Sequence, residues 1–304
     1  MRQIKKFFTY LFYYPERILL FIWDSIAPII PDQLFLAVRY RLVMGYWMDF
    51  KHPIKYTEKL QWLKLHDRRQ EYTQMVDKYA VKNYVSKIIG EKYIIPTIGV
   101  WHTPEQIDWE HLPNQFVLKT THGGGSCGVV IVNDKEKTDK YAIIKMLNQA
   151  LKQDIYSFLR EWPYKNIQKR IIAEQYLADN LNDYKFYCFN GEPKLLLVAS
   201  NRRSTHNFDY FDINFNHLDI TSRCGKQSDK TIEKPINFEL MKDIASQLSR
   251  GIPHVRVDMY NYEGQIYFGE LTFYDSSGFD DLQSEEWNLR LGEWIILPMS
   301  AERN

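Results

Sequence analysis

The chain has 304 residues, 45% of them hydrophobic and 25% charged, with a formal net charge of +1. This length supports one large domain or two to three small ones with proper cores, and the balance is that of a soluble globular protein. Near-neutral charge excludes a global field for DNA, RNA or another polyanion, so no nucleic acid is expected as partner. Three cysteines, Cys127, Cys188 and Cys224, lie far apart with no C-x-x-C pair. That argues against a zinc site or a disulfide framework and for a reducing, cytoplasmic compartment.

Residues 1–50 form a helical, aromatic segment containing the run Phe7-Phe8-Thr9-Tyr10-Leu11-Phe12-Tyr13-Tyr14. Pro15, Glu16, Arg17 and Asp24 interrupt it, so no apolar stretch approaches the roughly 18 residues of a membrane span. No small-residue cleavage site follows a clean apolar stretch, which argues against a secretory signal. A basic start (Arg2, Lys5, Lys6) followed by aromatics suits a helix lying in the interface at the inner face of a membrane. The plainer expectation is a helix packed on the body of the protein, with its apolar residues buried. Residues 51–115 carry helical periodicity at Leu60, Leu63 and Leu65 and again at Tyr79, Val81 and Tyr84, ended by Gly90 and Pro96.

From Phe116 the texture turns to strand. Phe116-Val117-Leu118-Lys119 leads into Thr121-His122-Gly123-Gly124-Gly125-Ser126-Cys127-Gly128 and then Val129 to Val132. A helix is expected over 140–159 and a strand over 171–177. Two strands, Tyr184 to Phe189 and Pro193 to Ala199, flank Asn190-Gly191, the strongest short hairpin signal. A helix over 236–249 precedes a second hairpin, Val255 to Met259 with Gln265 to Thr272. Two α+β units follow the helical region, over 116–178 and 179–304.

Gly123-x-Gly125-x-x-Gly128 has the spelling of a dinucleotide-binding loop, but it opens a strand where that motif must open a helix. A glycine loop between antiparallel strands suits folding over nucleotide phosphates, because glycine lets backbone N–H groups approach closely. An ordinary flexible hairpin loop is the alternative. No P-loop sequence is present. Lys119 ends an apolar strand, where an ammonium needs a partner such as a phosphate. Lys185, among the aromatics of Asp183-Tyr184-Lys185-Phe186-Tyr187, is a second candidate, and a lysine reaching out from a strand edge is the alternative for both.

Arg256-Val257-Asp258-Met259 and Gly269-Glu270-Leu271-Thr272 put acids on adjacent strands. Magnesium takes one or two carboxylates plus substrate phosphates. A hairpin loop of odd length places Asp258 and Glu270 on one face as diagonal neighbours. A four-residue loop sends them to opposite faces and destroys the site. A surface ion pair with Arg256 is the alternative.

This order of strand lysine, glycine loop, Glu174-Gln175 run, second lysine, R-x-D and E-x-T resembles the ATP-grasp superfamily, and most of all its TupA-like branch of polysaccharide and teichuronopeptide biosynthesis. The segments Tyr56 to Trp62, Asp77-Lys78, Ile95 to Val100 and Leu112 to Lys119 also carry the resemblance. It implies an α+β ATP-grasp fold, two subdomains clamping a nucleotide, with ATP and Mg²⁺ as cofactors. Lys119, with Lys78 as a further candidate, would contact phosphates beneath the loop formed by Gly123, Gly124, Gly125, Ser126 and Gly128. Glu174, Gln175 and Leu177 would line the adenine pocket, and Asp183 or Asp179 would reach the ribose. Lys185 and Arg256 would act catalytically at the γ-phosphate, and Asp258, Glu270 and Thr272 would hold metal. Thr272 departs from the asparagine common at that position, which weakens the hold on a second ion.

The implied reaction is ATP-dependent joining of a carboxylate to an amine or similar nucleophile through an acylphosphate, with a uronic-acid glycan or precursor as one candidate substrate. Asn201-Arg202-Arg203 and Tyr274 to Asp281 are candidate acceptor contacts, with solvated loop residues as the favoured alternative. A glycosyltransferase is weakened as a rival because no two aspartates stand two residues apart. A non-catalytic nucleotide-binding protein is weakened by the intact set of charged residues.

Overall fold

The computed structural model describes residues 15–125, 127–201, 206–222 and 225–298. The run at Phe7 to Tyr14, and Ser126, Arg202, Arg203 and Cys224, lie outside the described residues.

Among the described residues five α-helices come first: α1 (Pro15–Ser25), α2 (Asp32–Met44), α3 (Tyr56–His66), α4 (Glu71–Val76) and α5 (Ala80–Ile89). A small sheet then collects β1 (Thr97–Trp101), β2 (Phe116–Thr120), β3 (Val129–Val132) and β4 (Ile171–Gln175) in the antiparallel order β1-β4-β2-β3. Between β3 and β4 run α6 (Lys140–Leu151) and α7 (Ile155–Leu159). The single helix expected over 140–159 is therefore two. Asp154 caps the second by accepting from the Ser157 N–H, which ends the first helix before it.

The large sheet holds β5 (Asp183–Phe189), β6 (Glu192–Ser200), β7 (Asn207–Asp212), β8 (His217–Leu218), β9 (His254–Tyr262) and β10 (Gln265–Thr272), ordered β10-β9-β5-β6-β7-β8. Asn190 and Gly191, both at positive φ, make the two-residue β5–β6 turn. α8 (Phe238–Ser249) covers one face through Phe238 on Phe186. α9 (Glu285–Trp294) lies by Phe189 through Trp294, beside Tyr56 of α3.

Strand alternation divides each sheet into a core face and a cleft face. In the small sheet Phe116, Leu118, Val132, Ile171 and Ala173 form a closed core with Ile143 and Leu147 of α6. The intervening Val117, Lys119, Val129, Ile131 and Glu174 line the cleft between the sheets. β1 precedes the boundary expected at residue 116, yet pairs with β4. Likewise α3 to α5 share the core of the large sheet through Leu60, Tyr72, Val81 and Val85.

The N-terminal helices are divided. Trp23, Ala27, Phe35 and Leu36 pack into a small separate cluster, but Leu19, Phe21, Ile22, Ile26 and Ile29 remain exposed. No described helix is long and apolar enough to cross a membrane.

Candidate active site

The floor of the cleft is built by three neighbouring strands of the large sheet. The β9–β10 turn is the two residues Glu263 and Gly264, both at positive φ. This even turn is not the odd loop expected to keep the acids together, and continued regularly it would set Asp258 opposite Gly269. A bulge between Phe268 and Glu270 shifts the register by one, so Glu270 stands directly opposite Asp258 and Thr272 opposite Arg256. The acids are cross-strand partners, closer than the diagonal pair expected. Glycine suits the bulge position, since a Cβ on Gly269 would come within 3.0 Å of the Asp258 carbonyl oxygen.

On the other side of β9, Lys185 stands opposite Asp258. Arg256 Nε donates to Asp258 Oδ1 at 2.7 Å and its Nη2 donates to Oδ2 at 2.7 Å. Arg256 also pairs with Asp275, which accepts from the Tyr187 hydroxyl at 2.6 Å. Lys185 pairs with Asp258 and, at 2.7 Å, with Asp183. Glu270 accepts from Lys78 at 2.8 Å and from the Thr272 hydroxyl at 3.2 Å. These groups are buried or partly so, and the charges set one another's protonation. Burial alone would raise the Glu270 carboxyl, but Lys78, Lys185 and Arg256 more than offset it and hold it far below the usual range. Burial works against the Lys185 ammonium, while Asp183 and Asp258 raise it above the ordinary lysine value.

The roof comes from the small sheet. Lys119 meets Glu174 Oε2 at 2.5 Å, and Lys82 of α5 meets Oε1 at 2.5 Å. Burial pushes the Glu174 carboxyl up, and the two lysines bring it below its ordinary value. Lys82 was not singled out in the sequence, because a lysine in an amphipathic helix reads as solvent-facing. The glycine loop joins β2 to β3, as expected. Gly128, at φ +73°, has no room for a Cβ, which would lie 2.3 Å from Thr120 Oγ1.

Together these groups surround one cleft of about 1100 Å³. Lys78, Lys119, Gly124, Gly125, Glu174, Gln175, Leu177, Asp183, Lys185, Arg256, Asp258, Glu270 and Thr272 all line it. Gly123 and Gly128 sit in the loop without lining the cleft. The sequence model of the TupA-like ATPgrasp family matches residues 58–296. The chain belongs to that family.

The ATP-grasp fold of the chain has solved neighbours. D-alanine–D-alanine ligase from Bacillus anthracis is 20% identical at TM-score 0.40, with 66% of this chain and 57% of that one covered. The Helicobacter pylori D-alanine–D-alanine ligase gives 14% and 0.46 over 80% of this chain and 69% of the other. N5-carboxyaminoimidazole synthetase from Staphylococcus aureus, complexed with ADP, gives 16% and 0.46 over 79% and 59%. The chain thus spans less than two thirds of the length of the first and third. A search of curated proteins finds no match.

The ATP-grasp cleft is also lined by Leu159, Glu161 and Ser277, and behind them stands a buried charge that the sequence did not flag. Lys64 is fully buried and donates to Leu159 O, Ser277 O and Ser277 Oγ, each at 2.8 Å. Burial pushes its ammonium down to about 7 and pushes the carboxyl of neighbouring Glu161 up. Ser276 and Ser277 both take left-handed backbone. Non-glycine residues in that region mark strain that the surroundings enforce. Asp275, Ser276 and Ser277 line the cleft, so the expected acceptor segment does face it.

Proposed function

We propose that this chain is an ATP- and magnesium-dependent ligase that activates a carboxylate as an acylphosphate and passes it to an amine or similar nucleophile. The observation that carries the reading is the convergence of Lys78, Lys119, Lys185 and Arg256, from both sheets and α5's approach, on a cleft floored by the paired acids Asp258 and Glu270. Four cations directed into one cavity suit a triphosphate, whose charge needs neutralising without covalent help from the protein.

The donor set fits magnesium. Asp258, Glu270 and Thr272 offer hard oxygens on one sheet face, and their present partners Arg256, Lys185 and Lys78 show that cations are stabilised there. Asp258, Glu270 and Thr272 are the residues that would hold the ion together with substrate phosphates. The chemistry such an ion would supply is neutralisation of phosphate charge.

The residues of the chain supply the rest. Val117, Val129 and Ile131 give an apolar wall for a base, with Glu174, Gln175 and Leu177 at its edge. Lys119 and Lys78 hold phosphates beneath Gly124 and Gly125. A carboxylate oxygen of the substrate attacks the γ-phosphorus, the bond to the β-bridging oxygen breaks, and ADP leaves. Lys185 and Arg256 balance the charge that builds on the transferring group. The nucleophile then attacks the acyl carbon and phosphate departs.

The resemblance to the TupA-like branch supports a setting in surface-polysaccharide or envelope biosynthesis, with a uronic acid or amino acid as carboxylate and the cytoplasm as location. A screen of amino acids and uronic acids for carboxylate-dependent ADP release tests the reading. ATP with magnesium, and not UDP-sugars, is expected to raise the melting temperature. Stabilisation by UDP-sugars alone, or no ADP release with any carboxylate, would sink the assignment.

A further inference from the structure

From Leu19 to Ser25, helix α1 is turned inside out relative to an ordinary surface helix. Its polar partners face inward: Trp23 donates Nε1–H to Phe35 O at 3.1 Å and stacks on that ring, while Asp24 pairs with Arg39. Outward stand Leu19, Phe21 and Ile22, at 55%, 73% and 54% exposure, and the chain continues with exposed Ile26 and with Ile29 at 80%. Ser25 is the polar residue on this arc, and its hydroxyl is turned back to Phe21 O. A soluble surface helix puts charge outside and apolar side chains inside. A continuous run of large exposed apolar side chains marks a surface that meets something apolar.

The preceding sequence says what that is. Residues 1–14 contain Arg2, Lys5 and Lys6, six aromatic residues, and no aspartate or glutamate. Over residues 1–52 there are seven Lys and Arg against four Asp and Glu, a net of +3 in a chain whose total is +1. Positive charge is thus gathered at the end that exposes apolar side chains. A basic, acid-free aromatic sequence preceding an apolar helix arc is complementary in composition to an anionic lipid surface.

The arc also lies at the rim of the cleft. Leu20, Arg39 and Val43 line the cleft itself, while Leu19 and Phe21 are exposed and are not part of its lining. We propose that the N-terminal helical layer docks the protein on an anionic lipid bilayer through Leu19, Phe21, Ile22, Ile26 and Ile29, so that the cleft opens beside the headgroups. This goes beyond the ligase reading and does not depend on it.

Co-sedimentation of the full chain with phosphatidylcholine vesicles, with and without phosphatidylglycerol, reads the proposal without nucleotide or acceptor. The protein is expected to pellet with phosphatidylglycerol vesicles, less so at high salt, and poorly with phosphatidylcholine alone. Phe21→Asp combined with Ile29→Asp is expected to lower the bound fraction about tenfold or more, since a charge replaces an inserted apolar group at two sites. Both residues are exposed, so the melting temperature is expected to stay unchanged, and a Phe21→Ser, Ile29→Ser pair serves if it falls. Lys5→Glu with Lys6→Glu should remove the preference for phosphatidylglycerol. Wild-type protein left in the supernatant overturns the proposal, as does a double variant that binds as well as wild type. A dimer by analytical ultracentrifugation that the double variant dissociates, with no vesicle binding, would assign the face to a second copy instead.

Discussion

Lys119 shows how far sequence reaches toward a single residue of the cleft. An ammonium at the end of an apolar strand needs a partner, and that much is visible in Phe116-Val117-Leu118-Lys119. The structure supplies Glu174 from the neighbouring strand, with Lys82 on the other carboxylate oxygen. Lys119→Ala is expected to reduce ATP-dependent turnover on the order of 10²-fold, measured as ADP release, with Glu174 still ion-paired to Lys82. Turnover within a factor of two of wild type would remove Lys119 from the phosphate site.

His254 is a residue whose role lies in folding. It is fully buried between the Tyr56 hydroxyl at 3.0 Å and the Cys188 carbonyl at 3.0 Å, and burial drives its imidazole down to about 4. A base lowered in the folded state is neutral there while the unfolded chain binds a proton below about 6.5. Its contribution is therefore complete above that pH and is lost as pH falls from about 6.5 to about 4. At one pKa unit per 1.4 kcal/mol this amounts to about 3 kcal/mol. Denaturant titrations at stepped pH are expected to show this loss in wild type and a shallower one in His254→Asn.

At the scale of elements, the β9–β10 hairpin decides whether Asp258 and Glu270 make one site. The sequence shows both acids but leaves the length of the loop between their strands open, and the two-residue turn at Glu263 and Gly264 would by its parity alone separate them. The bulge at Gly269 brings them together, and nothing local in Phe268-Gly269-Glu270 distinguishes a bulge glycine from a merely flexible one. Gly269→Val places a branched side chain against the Asp258 carbonyl and the Tyr260 ring. Overpacking of this kind costs roughly 1–3 kcal/mol. The expected result is a lowered melting temperature together with loss of magnesium-dependent stabilisation by ATP. If that stabilisation survives intact, the bulge does not set the metal face. The glycine loop gives a second case: Gly128→Ala forces a Cβ onto Thr120 Oγ1 from a left-handed backbone. It should cost about 1–2 kcal/mol or more in a denaturant melt.

For the whole molecule, the cleft exists because two sheets present their non-core faces to each other. Strand alternation made the cleft face of β2 legible, whereas β1, β7 and β8 were not recognised as strands. β1 contains Gly99, β7 alternates Asn, Asp and aromatics, and β8 has two residues. Their strand character comes from pairing partners far along the chain. A ligand held by both sheets binds only the folded state, so ATP at about 100 times its Kd should add about 2.7 kcal/mol, read as a rise of several degrees in melting temperature. The Asp258→Asn variant is expected to lose most of that rise when magnesium is present.

The order of motifs along the chain carried the resemblance to the TupA-like ATP-grasp branch and named the charged groups, because strand periodicity, turn glycines and a lysine ending an apolar strand are local signals. Tertiary structure alone decided which groups meet. The register of Glu270 against Asp258 came from one bulge, and the pairing of Glu174 with Lys82 from a helix nearly a hundred residues earlier in the chain. The burial of Lys64 and Glu161, and the exposure of Phe21 and Ile29, likewise depend on what packs against them. Lys82 with Glu174 and Lys64 with Ser277 join residues far apart in the chain, while the short window that holds Asp258 and Glu270 does not say where its strand bulges.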